Sequence, residues 1–192
     1  VTQGHFTNDL DYASASALSL NSGSILDLAG NNANLNLPVP GTASSFSASK
    51  AIVIDGIVPS ITSVSSPDDN GTLTFGTTVG ITVTFDEVVS ITGTPQLLIE
   101  TGDNDATLDY SSGSGSPTIT FNYTVAASHL STDLGYISSS SLTLNGGSIR
   151  DAAGNNAGLT LADPDSTGSL STNKNFIVDG IVPVMTSVTS SL

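Results

Sequence analysis

The sequence predicts an all-β chain, and three observations carry that prediction. Apolar and polar residues alternate with period two along Val79, Ile81, Val83 and Phe85, and again along Ile119, Phe121, Tyr123 and Val125; half-buried strands read this way. The strong helix formers Lys, Arg, Glu and Met are nearly missing, so helix is disfavoured throughout. Clusters of Gly, Asn, Asp and Ser separate the alternating runs, as turns separate strands.

The elements follow in chain order. A strand near 61 to 66 leads into the turn Asp68-Asp69-Asn70-Gly71, and the run 79 to 85 makes the next long strand. Leu97 with Ile99 and Leu108 with Tyr110 flank the turn Gly102-Asp103-Asn104-Asp105, and Ser111 to Ser116 turns the chain into the strand 119 to 125. Leu142 with Leu144, a strand near 147 to 150, and Leu159 with Leu161 complete the series, around the turns Asn145-Gly146-Gly147 and Asp151 to Asn156. Asn-Gly and Asp-rich turns between strands are hairpin chemistry. About eight or nine short strands in one unit predict antiparallel immunoglobulin-like β-sandwich modules, with a closed barrel as second choice. Residues 126–141 and 162–173 show little periodicity.

The chain repeats. Asp55-Gly56-Ile57-Val58-Pro59 recurs as Asp179-Gly180-Ile181-Val182-Pro183, an offset of 124 (179 − 55). The same offset aligns His5 with His129, Tyr12 with Tyr136, Lys50 with Lys174, and Asp27-x-Ala29-Gly30-Asn31-Asn32 with Asp151-x-Ala153-Gly154-Asn155-Asn156. Repetition at a fixed period is the mark of stacked modules. Residues 57–180 read as one complete repeat, 1–56 as the C-terminal part of the repeat before it, and 181–192 as the first strand of the next. Each Asp-Gly-Ile-Val-Pro is the joint between modules, and function is expected at the joints.

Composition narrows that function. The chain has 17 acidic against 3 basic residues and a formal net charge of -14. Nucleic acid is excluded as a partner on this ground, because phosphate binding needs clustered Lys and Arg. The acidity reads either as solubility and mutual repulsion or as calcium ligation by carboxylate, amide and carbonyl oxygens. Acids recurring at equivalent turn positions favour calcium. With no Cys, disulfides and thiolate metal sites are unavailable to the chain. No stretch approaches the roughly 18–20 apolar residues of a membrane span, and no signal peptide is visible.

Strand counting gives the acids a place. If the strand near 61 to 66 leaves the lower joint upward, 79 to 85 runs down, and the loop after it returns Asp86 and Glu87 to that joint. The same counting carries 147 to 150 upward and places Asp151 to Asn156 at the upper end, beside Asp179. The internal joint would then gather Asp27, Asn31 and Asp55 from the first repeat with Asp86 and Glu87 from the second, and the upper one would hold Asp151, Asn155 and Asp179. Each has a plainer reading as well: Asp55 and Asp179 start turns before a Pro, and Asp27 and Asp151 cap backbone amides in turns whose Gly supplies positive φ.

Phe85-Asp86-Glu87-Val88-Val89, Gly93-Thr94-Pro95-Gln96-Leu97, Leu144-Asn145-Gly146-Gly147-Ser148-Ile149, Asp151-Ala152-Ala153-Gly154-Asn155 and Ile54-Asp55-Gly56-Ile57-Val58-Pro59 span the repeat. In this order they resemble the bacterial Ig-like tandem repeats of very long surface proteins and adhesins. In those families the joint commonly reads Val-Asp-Thr-Thr-Ala-Pro; Gly-Ile-Val between Asp and Pro here removes two hydroxyl groups from the middle of the linker. The resemblance implies an extracellular or cell-surface spacer module, rigidified by calcium, whose partners are the neighbouring repeats of its own chain.

The remaining motifs carry less. Asp103-Asn104-Asp105 alternates oxygen side chains like part of an EF-hand loop but lacks its Gly and distant Glu, so a solvated hairpin turn is expected there; Asp68-Asp69-Asn70-Gly71 reads alike. His5 and His129 are equivalents in two units, and one His per unit without Cys argues against zinc. No Gly-x-Ser-x-Gly or assignable triad is present, so the chain reads as no enzyme. The sequons at Asn70 and Asn122 read as chance matches, and Tyr110, Tyr123 and Tyr136 as core or edge aromatics. Two further roles compete with the spacer: a carbohydrate- or receptor-binding module using loops on a rigid sandwich, and a filament subunit assembling by strand pairing. The second follows because the chain starts inside a strand equivalent to 118–125 and ends after one equivalent to 57–66, leaving edges that recruit strands.

Overall fold

A computed structural model describes residues 1–189. It divides into two compact units, Val1–Ile57 and Val58 onward. The chain is mostly β and its sheets are largely antiparallel. No helix of the described residues is long and apolar enough to cross a membrane.

The first unit holds little regular structure. Strands β1 (Phe6–Thr7) and β2 (Ile54–Asp55) pair antiparallel through Phe6↔Asp55 and Thr7↔Ile54. Between them, the one-turn helix α1 (Phe46–Ser49) is capped by the Ser45 hydroxyl, which accepts from Ala48 N at 3.2 Å. Helix was disfavoured by composition, but a single turn needs only a serine cap. The rest is turns. Only Ser45 and Gly56 of this unit are buried.

The second unit contains β3 (Ile61–Ser65), β4 (Gly71–Thr74), β5 (Thr78–Thr92), β6 (Gln96–Glu100), β7 (Ala106–Ser112), β8 (Ser116–Thr124), β9 (Leu130–Ser131), β10 (Gly135–Tyr136), β11 (Leu142–Thr143), β12 (Ser148–Arg150), the one-turn helix α2 (Leu170–Asn173) and β13 (Phe176–Asp179). The larger sheet runs β10-β6-β7-β8-β5-β12, with β11 also on β6 and β3 also on β5; the smaller runs β4-β13-β9, with β13 parallel to β4. The expected alternation is realised. Val79, Ile81, Val83 and Phe85 of β5, and Ile119, Phe121 and Tyr123 of β8, share one core with Leu73, Phe176 and Val178 of the smaller sheet. Tyr110 meets Phe121 edge-on at 6.4 Å, and Tyr123 and Tyr136 are buried, which pushes both phenols up to about 12, with Asp163 and Asp165 adding to the shift of Tyr136.

Some expected elements differ. Leu159 and Leu161 form no ladder; Leu161 reaches the core from a coil held by Leu161 N donating to Ser139 O at 2.9 Å. Residues 181–189 carry no regular structure, whereas the equivalent Ile61–Ser65 is a strand because it pairs with β5; residues 190–192 of that expected strand lie outside the described residues.

The two units share a backbone plan at the 124-residue offset. Leu10 N donates to Ile52 O as Leu134 N does to Phe176 O, both at 2.8 Å. Ala33 N to Ile25 O repeats as Ala157 N to Ile149 O, and Tyr12 Oη to Pro38 O as Tyr136 Oη to Ala162 O. What differs is burial. Ile25 is 49% exposed where Ile149 is 1%, and Leu10 36% where Leu134 is 0%. Ile149→Ala is therefore expected to cost about 2–4 kcal/mol, the range for a large-to-small change in a packed core. Ile25→Ala should stay within about 0.5 kcal/mol; urea midpoints of the two variants check the contrast.

Candidate functional site

Asp86 and Glu87 do not sit in a loop. They lie inside β5, where its ladder to β8 is interrupted: Thr84 pairs with Thr118, and the next pair is Val89↔Ser116. Pro117 is the one β8 residue between those pairs. Having no N–H, it loses no ladder bond where the strand bulges. Beyond the bulge β5 continues and pairs with β12 through Ser90↔Arg150, Ile91↔Ile149 and Thr92↔Ser148.

This register corrects the expected position of the Asp151 turn. The strand 148–150 does run antiparallel to β5, but it pairs with the part of β5 beyond Asp86. Its end therefore arrives beside the bulge instead of at the Asp179 end. Carboxylate oxygens of Glu87 and Asp151 lie within 4.8 Å of one another. Asp179, by contrast, pairs with Thr74 and Leu130 on the smaller sheet. Asp151 and Asn155 are thus not companions of Asp179.

Asp151 is buried and held by its own turn. Asn155 donates its backbone N to Oδ1 at 2.8 Å and its side-chain Nδ2 to Oδ2 at 2.7 Å. Gly158 N, just beyond the turn, donates to Pro59 O at 2.9 Å, which fixes the entry of the second unit near the same place. Two carboxylates so close repel unless donors or a cation intervene, and they belong to a group of acids that could hold a metal ion.

Asp86 faces elsewhere. Its Oδ1 accepts from Ser60 N at 2.8 Å and its Oδ2 from Ser60 Oγ at 2.5 Å, while its own N donates to Ser60 O at 2.9 Å. The Ser60 side chain first, and its backbone second, hold the Asp86 carboxyl below the usual carboxylate range against a smaller opposing effect of burial. Asp86 is a clasp on the start of β3. Nothing in the alternation marked Ser60 as its partner.

In the first unit Asp27 repeats the Asp151 turn, with Asn31 N at 2.8 Å and Asn31 Nδ2 at 2.8 Å. The Asn31 side chain and backbone lower its pKa. Asp55 Oδ1 accepts from Ile57 N at 3.1 Å, and Asp179 Oδ1 from Ile181 N at 3.0 Å, so both joint aspartates start the turn before the Pro. The joint Gly is set by space: a Cβ on Gly180 would lie 2.2 Å from Ala126 O, and one on Gly56 2.5 Å from Thr2 O.

The other motifs are structural. Thr101 N and Oγ1 close the Asp103–Asp105 hairpin onto Asp105 Oδ1 and Asn104 O. His129 stacks on Tyr123 with ring centroids 5.8 Å apart, and its Nδ1 meets Tyr123 Oη at 3.0 Å and accepts from Ala126 N at 3.2 Å. No family model, curated protein or solved structure matches the chain.

The Asp86 clasp has a pH signature. Its folded pKa lies below its unfolded one, so its stabilisation is complete above the ordinary carboxylate pKa near 4 and is lost as pH falls through the lowered folded value. Asp86→Asn should cost about 0.5–1 kcal/mol at pH 7, as expected for exposed charge-assisted bonds. Urea midpoints of the two proteins should converge as the pH is lowered below about 4; a gap unchanged in acid would contradict the assignment.

Proposed function

We propose that this chain is a structural spacer: tandem Ig-like sandwich modules of an extracellular or cell-surface bacterial protein, with calcium stiffening the joints. The observation that carries the reading is the repeat itself. A backbone plan recurring at a 124-residue offset, with the same Asp-Gly-Ile-Val-Pro joint closing each copy, is the organisation of an extended array. Support for calcium comes from the Glu87–Asp151 pair. The reading takes Asp55, in the joint sequence itself, as a further carboxylate ligand. Bound calcium neutralises acids that otherwise repel, and its binding energy appears as stability and reduced bending.

Calorimetric titration with calcium tests the reading on the whole chain. Saturable binding is expected, weakened at least about tenfold by Glu87→Gln, by Asp151→Asn and by Asp55→Ala, each of which removes a charged ligand. The melting temperature should rise with calcium, and by less in each variant than in the parent protein. No heat at millimolar calcium, with identical melting in chelator, would reduce the joint to an ordinary Pro-containing linker.

A further inference from the structure

The first unit reproduces the backbone of residues 125–181 but only one of its ladders. The pair β1–β2 is the counterpart of β9–β13, Phe6↔Asp55 answering Leu130↔Asp179. The remaining ladders of that region all reach back to strands that precede it in the chain: β10 and β11 pair with β6, β12 with β5, and β13 with β4. In the first unit the residues equivalent to β10, β11 and β12 pair with no strand. The apolar side chains that those ladders bury are open there: Leu10, Leu18, Ile25, Phe46 and Ile52 are exposed, and their counterparts Leu134, Leu142, Ile149, Leu170 and Phe176 are buried.

We propose that this open apolar face is a docking surface for one specific occupant, a half-module with the strand pattern of Val58–Thr124 that supplies the equivalents of β4, β5 and β6. The inference rests on the tandem-module reading and names the partner of the first unit. The turns of the first unit are already set in the docked conformation. The capped helical turn recurs at Ser45 and Ser169, and the left-handed Asn21 and Gly30 match Asn145 and Gly154. Docking therefore orders few turns and mainly covers apolar surface. Val1 holds the repeat position of Val125, which follows Thr124 in the second unit, so a half-module joined there is a direct test of the fit.

The test extends the chain at Val1 with a copy of its own residues 57–124 and is run in chelator, so that it does not depend on the calcium reading. Hydrogen exchange at the Leu10 and Leu37 amides, which donate to Ile52 O and Ala15 O, should slow more than about tenfold as local opening gives way to cooperative unfolding. Leu10→Asp should abolish that protection in the extended chain and leave exchange in the original chain unchanged. Unaltered exchange in the extended chain, or its aggregation while the original stays monodisperse, overturns the proposal. So does a concentration-dependent dimer of the original chain that Leu10→Asp dissolves, since the face would then take a second copy.

Discussion

The break in the β5–β8 ladder is the constraint on which the second unit turns. Before it, β5 is a core strand paired with β3 on Thr82–Phe85; after it, the same strand pairs with β12 on Ser90–Thr92. A continuous ladder would have run Glu87 along a regular strand. The bulge lets β5 change partner, and the partner it acquires ends at Asp151. Pro117 makes the break inexpensive, since a residue without an N–H has no ladder bond to lose. Ser60 fixes its other side through Asp86. Fold and candidate cation site are therefore consequences of the same four-residue irregularity.

The contrast between the units separates two kinds of information in one sequence. Turns are written locally: an Asp, Asn or Ser side chain meets a backbone amide two to four residues away, and the geometry forms with or without a core. A core is written between distant segments. Burying a Leu or Ile side chain contributes about 1.5–3 kcal/mol relative to exposure, against a net of about 1 kcal/mol for a hydrogen bond. A segment with all its turn bonds and almost none of its burial keeps its shape but gains little stability from it. The first unit is in that condition.

This separation also explains what was legible in the sequence. Alternation located the core strands β5 and β8, because a half-buried strand imposes its period on the residues themselves. Asp103-Asn104 marked the β6–β7 hairpin for the same local reason; Asn145-Gly146 marked a tight turn, but the strands it joins take different partners, β11 on β6 and β12 on β5. The direction of β12 was legible too, but its level was not. Counting strands assumes that each ends where its alternation ends, whereas β5 runs seven residues past Phe85 to Thr92. The one clue was Pro117, standing between the Ser111–Ser116 turn and the alternation that begins at Ile119. Without the extra length of β5, Asp151 seemed to belong with Asp179, when its neighbour is Glu87.

The chemistry of the acids sharpens that correction. Fifteen of the 17 acidic residues are Asp, and only Glu87 and Glu100 are Glu. Charge selected for solubility alone would use either residue, whereas capping a nearby amide favours the shorter one, although Glu100 also accepts from Gly102 N at 2.9 Å. Asp27, Asp55, Asp86, Asp151 and Asp179 all accept backbone N–H groups. The role even survives a change of position. In the first unit Asp11 accepts from Ser47 Oγ at 2.5 Å and from Gly41 N, a set led by the Ser47 bond that lowers its pKa to about 2. In the second unit Gly135 replaces Asp11 and Asp165 replaces Gly41, and it is Asp165 that accepts from the equivalent Ser171 at 2.7 Å. A carboxylate is kept on that serine although the residue carrying it has moved. Much of the acidity is thus turn chemistry. Glu87 differs in kind: it is a long carboxylate at a strand bulge, with an oxygen within 4.8 Å of the buried Asp151, in a group of acids that could hold a metal ion.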